Sequence, residues 1–143
     1  MSDNYDTGCR CDNCDGDPAY VLTQQGLVAA FYYAKLGRLP TPAEARERLL
    51  EELAELSHAL SMYGPAGQLK ELADVLYTAY GYALARGWNL REAFRLVHIS
   101  NMTKEPATTG KIQKGDAYVA PDLGDCMGDE CGLLAPGVTA SRR

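Results

Sequence analysis

Glu52 and Glu55 stand three residues apart in Leu49-Leu50-Glu51-Glu52-Leu53-Ala54-Glu55-Leu56, and Glu71 and Asp74 repeat that spacing in Lys70-Glu71-Leu72-Ala73-Asp74-Val75. Residues three apart on a helix share a face, so each pair can aim its oxygens at one place. The turn residues Tyr63-Gly64-Pro65-Ala66-Gly67 lie near the midpoint between the pairs. A chain that folds back there as an antiparallel helical hairpin carries both pairs about 14 Å from the turn, at about 1.5 Å per residue. Four carboxylates then lie level across one groove and repel one another unless a cation neutralises them. Ligands that are all oxygen suit a hard divalent ion, Mg2+ or Mn2+. The competing reading of either pair alone is a solvated helix face, and the second pair at the same spacing argues against it.

The elements that must position these residues are helical. Val21, Leu22, Leu27, Val28, Phe31 and Tyr32 recur at helical spacing over residues 20–35, and Gly37 supplies a stop. Thr41-Pro42-Ala43-Glu44 is a helix start with a capping box and proline at the first position, and the helix runs to about Met62. A third helix is expected over residues 68–86, with Leu69, Leu72, Val75, Leu76, Ala79, Ala83 and Leu84 on its buried side and Gly81 marking a close helix crossing. Asn89-Leu90-Arg91-Glu92 opens a fourth helix with a second capping box, ending near Lys104 before Pro106. Residues 107–124 read as a hairpin or extended flap, and the Gly-rich tail from Asp125 reads as loose. The expected organisation is an irregular cysteine-bearing arm over 1–19, an all-α catalytic bundle over 20–106, and a flap with tail over 107–143.

The end of the fourth helix offers complementary chemistry. His98, Asn101 and Lys104 are spaced three apart; His98 reads as a bystander, whereas an ammonium and an amide near a metal cluster are what a phosphate chain needs. Lys111 and Lys114 follow in the flap and could close over an anionic ligand. Lys104 has a plainer reading as a complement to the helix C-terminal dipole.

Composition narrows the classes. At 143 residues, 46% hydrophobic and 23% charged, the chain has the make-up of an ordinary soluble domain with a modest core. A formal net charge of −5 argues against a nucleic-acid polymer as partner. No apolar run reaches the roughly 18 residues that cross a bilayer, and the acidic Met1-Ser2-Asp3-Asn4 start is no secretory signal, so the cytoplasm is the expected compartment. The five cysteines are an odd number for a disulfide framework and lie near the termini: Cys9, Cys11, Cys14, Cys126 and Cys131. Their spacings fit zinc knuckles poorly, so reduced thiols in the tails are expected, with a structural zinc only if the two tails meet.

With these residues assembled, the chain resembles the MazG-like all-alpha nucleoside triphosphate pyrophosphohydrolases, a group that includes phosphoribosyl-ATP pyrophosphohydrolase and the all-alpha dUTPases and dCTPases. The group's E-E-x-x-E and E-x-x-D motifs correspond to Glu51-Glu52-Leu53-Ala54-Glu55 and Glu71-Leu72-Ala73-Asp74, and its H-x-x-N-x-x-K element to His98 through Lys104. The resemblance spans about residues 21–123. It implies Glu52, Glu55, Glu71 and Asp74 as ligands of two or more Mg2+ or Mn2+ ions, with Glu51 holding or activating water. It implies Asn101 and Lys104 as triphosphate contacts, Lys104 serving catalysis too, and a homodimer or homotetramer that completes the bundle. The implied reaction takes a (deoxy)nucleoside triphosphate to monophosphate and pyrophosphate. Gly110-Lys111, Lys114-Gly115-Asp116, Tyr118 and Pro121-Asp122 look most like phage and bacterial members, one of which prefers dGTP; in a phage the compartment would be the host cytoplasm. A phosphoribosyl-ATP, dUTP or dCTP enzyme is the alternative within the fold, and a non-catalytic helical metal-binding module the alternative outside it. The sequence departs from phage relatives at Tyr33-Ala34-Lys35-Leu36-Gly37, where they carry a His-x-x-Phe-Gly run.

Overall fold

Four helices in succession, each started by an identifiable cap, dominate the computed structural model, which describes residues 23–127. Helix α1 spans Gln24–Leu36. The Thr23 hydroxyl accepts from the Gly26 amide at 3.0 Å to begin it, and Gly37, at φ 68°, ends it in the left-handed region that favours glycine. Helix α2 spans Pro42–Met62. Its capping box is complete: Thr41 Oγ1 accepts from the Glu44 amide at 3.3 Å, and Glu44 Oε2 accepts from the Thr41 amide at 2.7 Å. Arg38 grips the same carboxylate with both terminal nitrogens at 2.9 Å. The Arg38 guanidinium, followed by the Thr41 amide, lowers the Glu44 carboxyl to about 2.

Helix α3 spans Pro65–Ala85, three residues earlier than the periodicity predicts, because Pro65 suits the first helical position and Gly64 serves as the cap. The Gln68 side chain donates to Tyr63 O at 2.8 Å and closes the tight connection. Helix α4 spans Leu90–Met102, capped by Asn89, whose side chain accepts from the Glu92 amide at 3.0 Å. The second capping box is only half made, since Glu92 turns to Arg95 at 2.6 Å instead.

Helices α2 and α3 form an antiparallel hairpin, and α1 packs on α3. The contact surfaces are lined with small residues, with Ala45, Ala59 and Ala83 buried beside Val28 and Leu84. A Cβ at Gly81 would lie 2.9 Å from the Tyr32 hydroxyl, so the glycine is what lets α1 cross α3 there.

One expectation holds only in part: Ala83 and Leu84 of α3 are buried as expected, but the leucines placed with them are not. Leu69, Leu72 and Leu76 are each more than half exposed, while Glu71 on the same helix is only 6% exposed. Helix α3 is apolar on two sides: Gly81 meets Tyr32 of α1, and Ala83 and Leu84 are buried close to it in sequence. The leucine side is left facing outward, as are Leu53 and Leu60 of α2, and Phe94 and Met102 of α4 at 73% and 72%.

The chain after α4 forms a short antiparallel hairpin, β1 (Glu105–Pro106) with β2 (Ile112–Gln113), and then a 3-10 turn at Gly124–Cys126. The start of the tail is therefore not loose. Trp88 pairs with Met127 as a bridge, and the Asn89 amide donates to Cys126 O at 2.9 Å. The α3–α4 corner has backbone groups that no helix satisfies, and this returning segment satisfies some of them. Gln25, almost fully buried, meets others, donating to Trp88 O at 2.7 Å and accepting from the Leu90 amide at 3.1 Å. Cys126 is buried in this knot rather than carried on an open tail. Cys9, Cys11, Cys14 and Cys131, and with them the zinc reading, lie outside the described residues, as do Val21 and Leu22. None of the described helices is long and apolar enough to cross a membrane.

Candidate functional site

The α2–α3 hairpin brings Glu52, Glu55 and Glu71 together, each offering a carboxylate oxygen within 4.8 Å of the others. The i, i+3 pair on α2 supplies two of them, and the mirrored position on α3 supplies the third. Glu52 Oε2 is buried with no hydrogen-bond partner. An orphaned buried carboxylate oxygen costs free energy, and here it belongs to the group of three. Burial first, and then the charges of Glu55 and Asp74, push the Glu52 carboxyl above its ordinary value. Three converging carboxylates, one of them with a buried oxygen that has no donor, are what a hard cation satisfies, so these residues fit a divalent ion.

Asp74 is held differently. Lys70, one turn before it, reaches Asp74 Oδ2 at 2.8 Å and Glu71 Oε1 at 3.2 Å. These contacts, the Asp74 bond foremost, hold the ammonium well above its usual range. Lys70 therefore supplies positive charge at the edge of the acidic group. Sequence reading passed over it, although its i, i+4 spacing to Asp74 was the available signal. Glu51 faces away along α2 and pairs with Arg48 at 3.1 Å on an exposed surface.

A cavity of about 430 Å³ adjoins the acidic group, lined by Phe31, Tyr32 and Lys35 of α1, Arg48 and Glu52 of α2, and Tyr77 of α3, among others. Phe31 packs edge-on against both Tyr32 and Tyr77, with ring centroids 5.4 and 5.7 Å away. Burial raises both tyrosine hydroxyls, Tyr32 and Tyr77, so both remain neutral donors near pH 7. Glu52 belongs to the cavity and to the carboxylate group alike, so a ligand ring seated there would have its polar chain directed at the acids.

Asn101 and Lys104 line a second cavity, of about 490 Å³, with Met102 and Ile112. No hydrogen bond or ion pair joins this corner to the carboxylates among the described residues. Lys111 and Lys114 are exposed on and after the β1–β2 hairpin, and His98 is exposed on α4.

Residues 27–101 match the family described as phosphoribosyl-ATP pyrophosphohydrolase. That span covers more than half of the chain and includes all four motif carboxylates. The chain belongs to this family. It is thereby a member of the MazG-like all-alpha nucleoside triphosphate pyrophosphohydrolase superfamily, whose helical fold it shares. The family's activity is metal-dependent pyrophosphohydrolysis of nucleotides, the opening of a phosphoric anhydride, and the acidic group lies inside the matched span. Asn101 is the last matched residue, so Lys104 and the hairpin lie beyond it. No curated protein and no solved structure is significantly similar to the chain.

Proposed function

We propose that the protein cleaves a purine (deoxy)nucleoside triphosphate, dGTP or GTP in the first instance, to the monophosphate and pyrophosphate. The observation that carries this reading is the sharing of Glu52 between an aromatic cavity and a group of three converging carboxylates. The cavity suits a base, with Phe31, Tyr32 and Tyr77 offering ring faces and edges and the tyrosine hydroxyls offering donors. Glu52, Glu55 and Glu71 would hold the divalent ion, with Asp74 joining once Lys70 releases it. Bound there, Mg2+ or Mn2+ neutralises phosphate oxygens and lowers the pKa of a water. Lys70 shields the carboxylates in the ion's absence, and its long stem lets it swing away. Glu55, the exposed member of the three, is the group to accept a proton from the attacking water on its free oxygen. Lys104 and Asn101 receive charge on the departing pyrophosphate, a donor pair that binds more strongly as that charge develops.

The outward leucines of α2 and α3, with Phe94 and Met102 of α4, support a homo-oligomer in which a second copy covers them. Sedimentation should show no monomer at micromolar concentration, and a monomeric wild type would refute the assembly.

A second reading, phosphoribosyl-ATP as substrate, is favoured by the family match itself. Pyrophosphate release measured across the four dNTPs, GTP, dUTP and phosphoribosyl-ATP separates the two. Guanine preference supports the first, phosphoribosyl-ATP preference the second, and a pyrimidine preference removes both. Calorimetry with Mg2+ or Mn2+ and a nonhydrolysable nucleotide tests the enzyme reading against that of a bare metal-binding module, which would bind no nucleotide.

A further inference from the structure

After the β1–β2 hairpin the chain returns across the end of α4 and is pinned there. Ser100, buried, donates its hydroxyl to Val119 O at 2.7 Å. The Val119 amide donates to Thr103 Oγ1 at 2.9 Å, and Thr103 in turn donates to Ser100 O at 2.8 Å. These bonds fix the backbone beside Tyr118, whose ring centroid lies 4.7 Å from Lys114 Nζ. The proximity of Ser100, and after it the charges of Lys114 and Lys104, hold the Tyr118 phenol below its ordinary value. Lys104 also lines the cavity with Asn101. Glu105, the nearest acid on the hairpin, lies against Gly115, where a Cβ would collide with its carboxylate. Among the described residues neither Lys104 nor Lys114 is ion-paired.

The plainer account is that Lys114 and Tyr118 merely tether the loop, since an exposed cation–π contact is worth only about 0.5–1 kcal/mol. That account leaves the chemistry unexplained. Two ammoniums, a phenol and an amide gather at one corner, every one able to donate, and among the described residues no carboxylate, Glu105 included, is ion-paired with either ammonium. A phenol flanked by ammoniums is a strengthened donor toward an anion. We propose that Tyr118 is a phosphate-binding residue, its hydroxyl donating to the pyrophosphate portion of the substrate between Lys104 and Lys114. The assignment rests on the pyrophosphohydrolase reading above and adds a residue to its phosphate grip.

The test is Tyr118→Phe in the full chain, which keeps the ring under Lys114 and removes only the hydroxyl. With Mg2+ present, inorganic pyrophosphate should inhibit the variant about tenfold more weakly than wild type, the scale of a lost hydrogen bond to a charged group. KM for the triphosphate should rise in step, while inhibition by the nucleoside monophosphate, which lacks that portion, stays unchanged. Equal pyrophosphate inhibition in an active wild type and variant overturns the assignment and leaves the enzyme reading standing. Equal weakening for pyrophosphate and monophosphate, with a lowered Tm, overturns it in favour of loop tethering. A wild type that neither turns over nor binds pyrophosphate removes both readings together.

Discussion

The two charged regions of this molecule are built by opposite means. The acidic group rides on two long helices joined by a two-residue connection, and presents mainly acceptors, with the Lys70 ammonium at its edge. The basic corner is irregular chain fastened to the end of α4 by two hydroxyls, and presents mainly donors. Regular structure is used where like charges must be forced together against repulsion, because a long packed hairpin can bear that cost. Chain without regular structure suffices where the groups are mobile lysines that adapt to what they bind. Each region lacks what a metal-laden polyphosphate carries, cations for the first and anionic oxygens for the second.

The largest effects should come from the acidic side. Glu55→Gln or Asp74→Asn should lower pyrophosphate release by about a thousandfold or more, the scale of lost electrostatic stabilisation at a reacting centre, with the helical circular dichroism nearly unchanged. Because Asp74 is held by Lys70 in the metal-free chain, Asp74→Asn should in addition weaken Mg2+ binding by calorimetry. Near-wild-type turnover in either variant would remove the carboxylate centre from the mechanism. Lys104→Ala probes the other side and should cost about a hundredfold, mostly in kcat, with Mg2+ affinity unaltered. A loss of metal affinity there would mean that Lys104 acts through the metal site and not on the departing pyrophosphate.

Much of this contrast could be read from residue spacing, and the failures have identifiable physical causes. The paired carboxylates, the caps at Thr41 and Asn89 and the crossing at Gly81 are local signals, fixed by helical periodicity and by backbone donors that need partners. Which side of α3 turns inward is not local. Leu69, Leu72 and Leu76 share an apolar helix with Ala83 and Leu84, yet only the last two of these are buried, and periodicity cannot choose between two apolar sides. The aromatic cavity joins Phe31 to Tyr77 across two helices, a convergence that only the packing creates. Cys126 and Lys70 were hidden for another reason: each looks unremarkable until the unsatisfied groups around it are known.

Smaller effects concern the pinning of the basic corner. Ser100→Ala removes a buried donor and its bond to Val119 O, which should cost about 1 kcal/mol and lower Tm by a few degrees in thermal melts. It should also weaken pyrophosphate inhibition, since the segment carrying Tyr118 loses its attachment. Thr41→Ala, at the far end of α2, should cost about 1 kcal/mol through the lost cap and leave pyrophosphate inhibition untouched. If the two variants changed inhibition equally, the corner would be responding to global stability and not to its own hydroxyl contacts.

The smallest effect is the one whose sign is least intuitive. The Glu52 carboxyl titrates above its unfolded value because burial and the neighbouring charges of Glu55 and Asp74 disfavour its ionised form. A group raised in this way supports the fold fully below the unfolded value and loses that support as pH rises through the folded one. The metal-free protein should therefore become less stable between the ordinary glutamate range and neutrality on account of this group. Glu52→Gln removes the titration, so at pH 7 in chelator the variant should melt above wild type, although it has lost a ligand needed for turnover. At pH 4 the gap should close. Adding Mg2+ should reverse the order, because the ion stabilises the wild type by mass action and finds one ligand fewer in the variant. A variant that melts below wild type at pH 7 in chelator would mean that Glu52 is satisfied without a cation, and the case for its buried oxygen as a metal ligand would go with it.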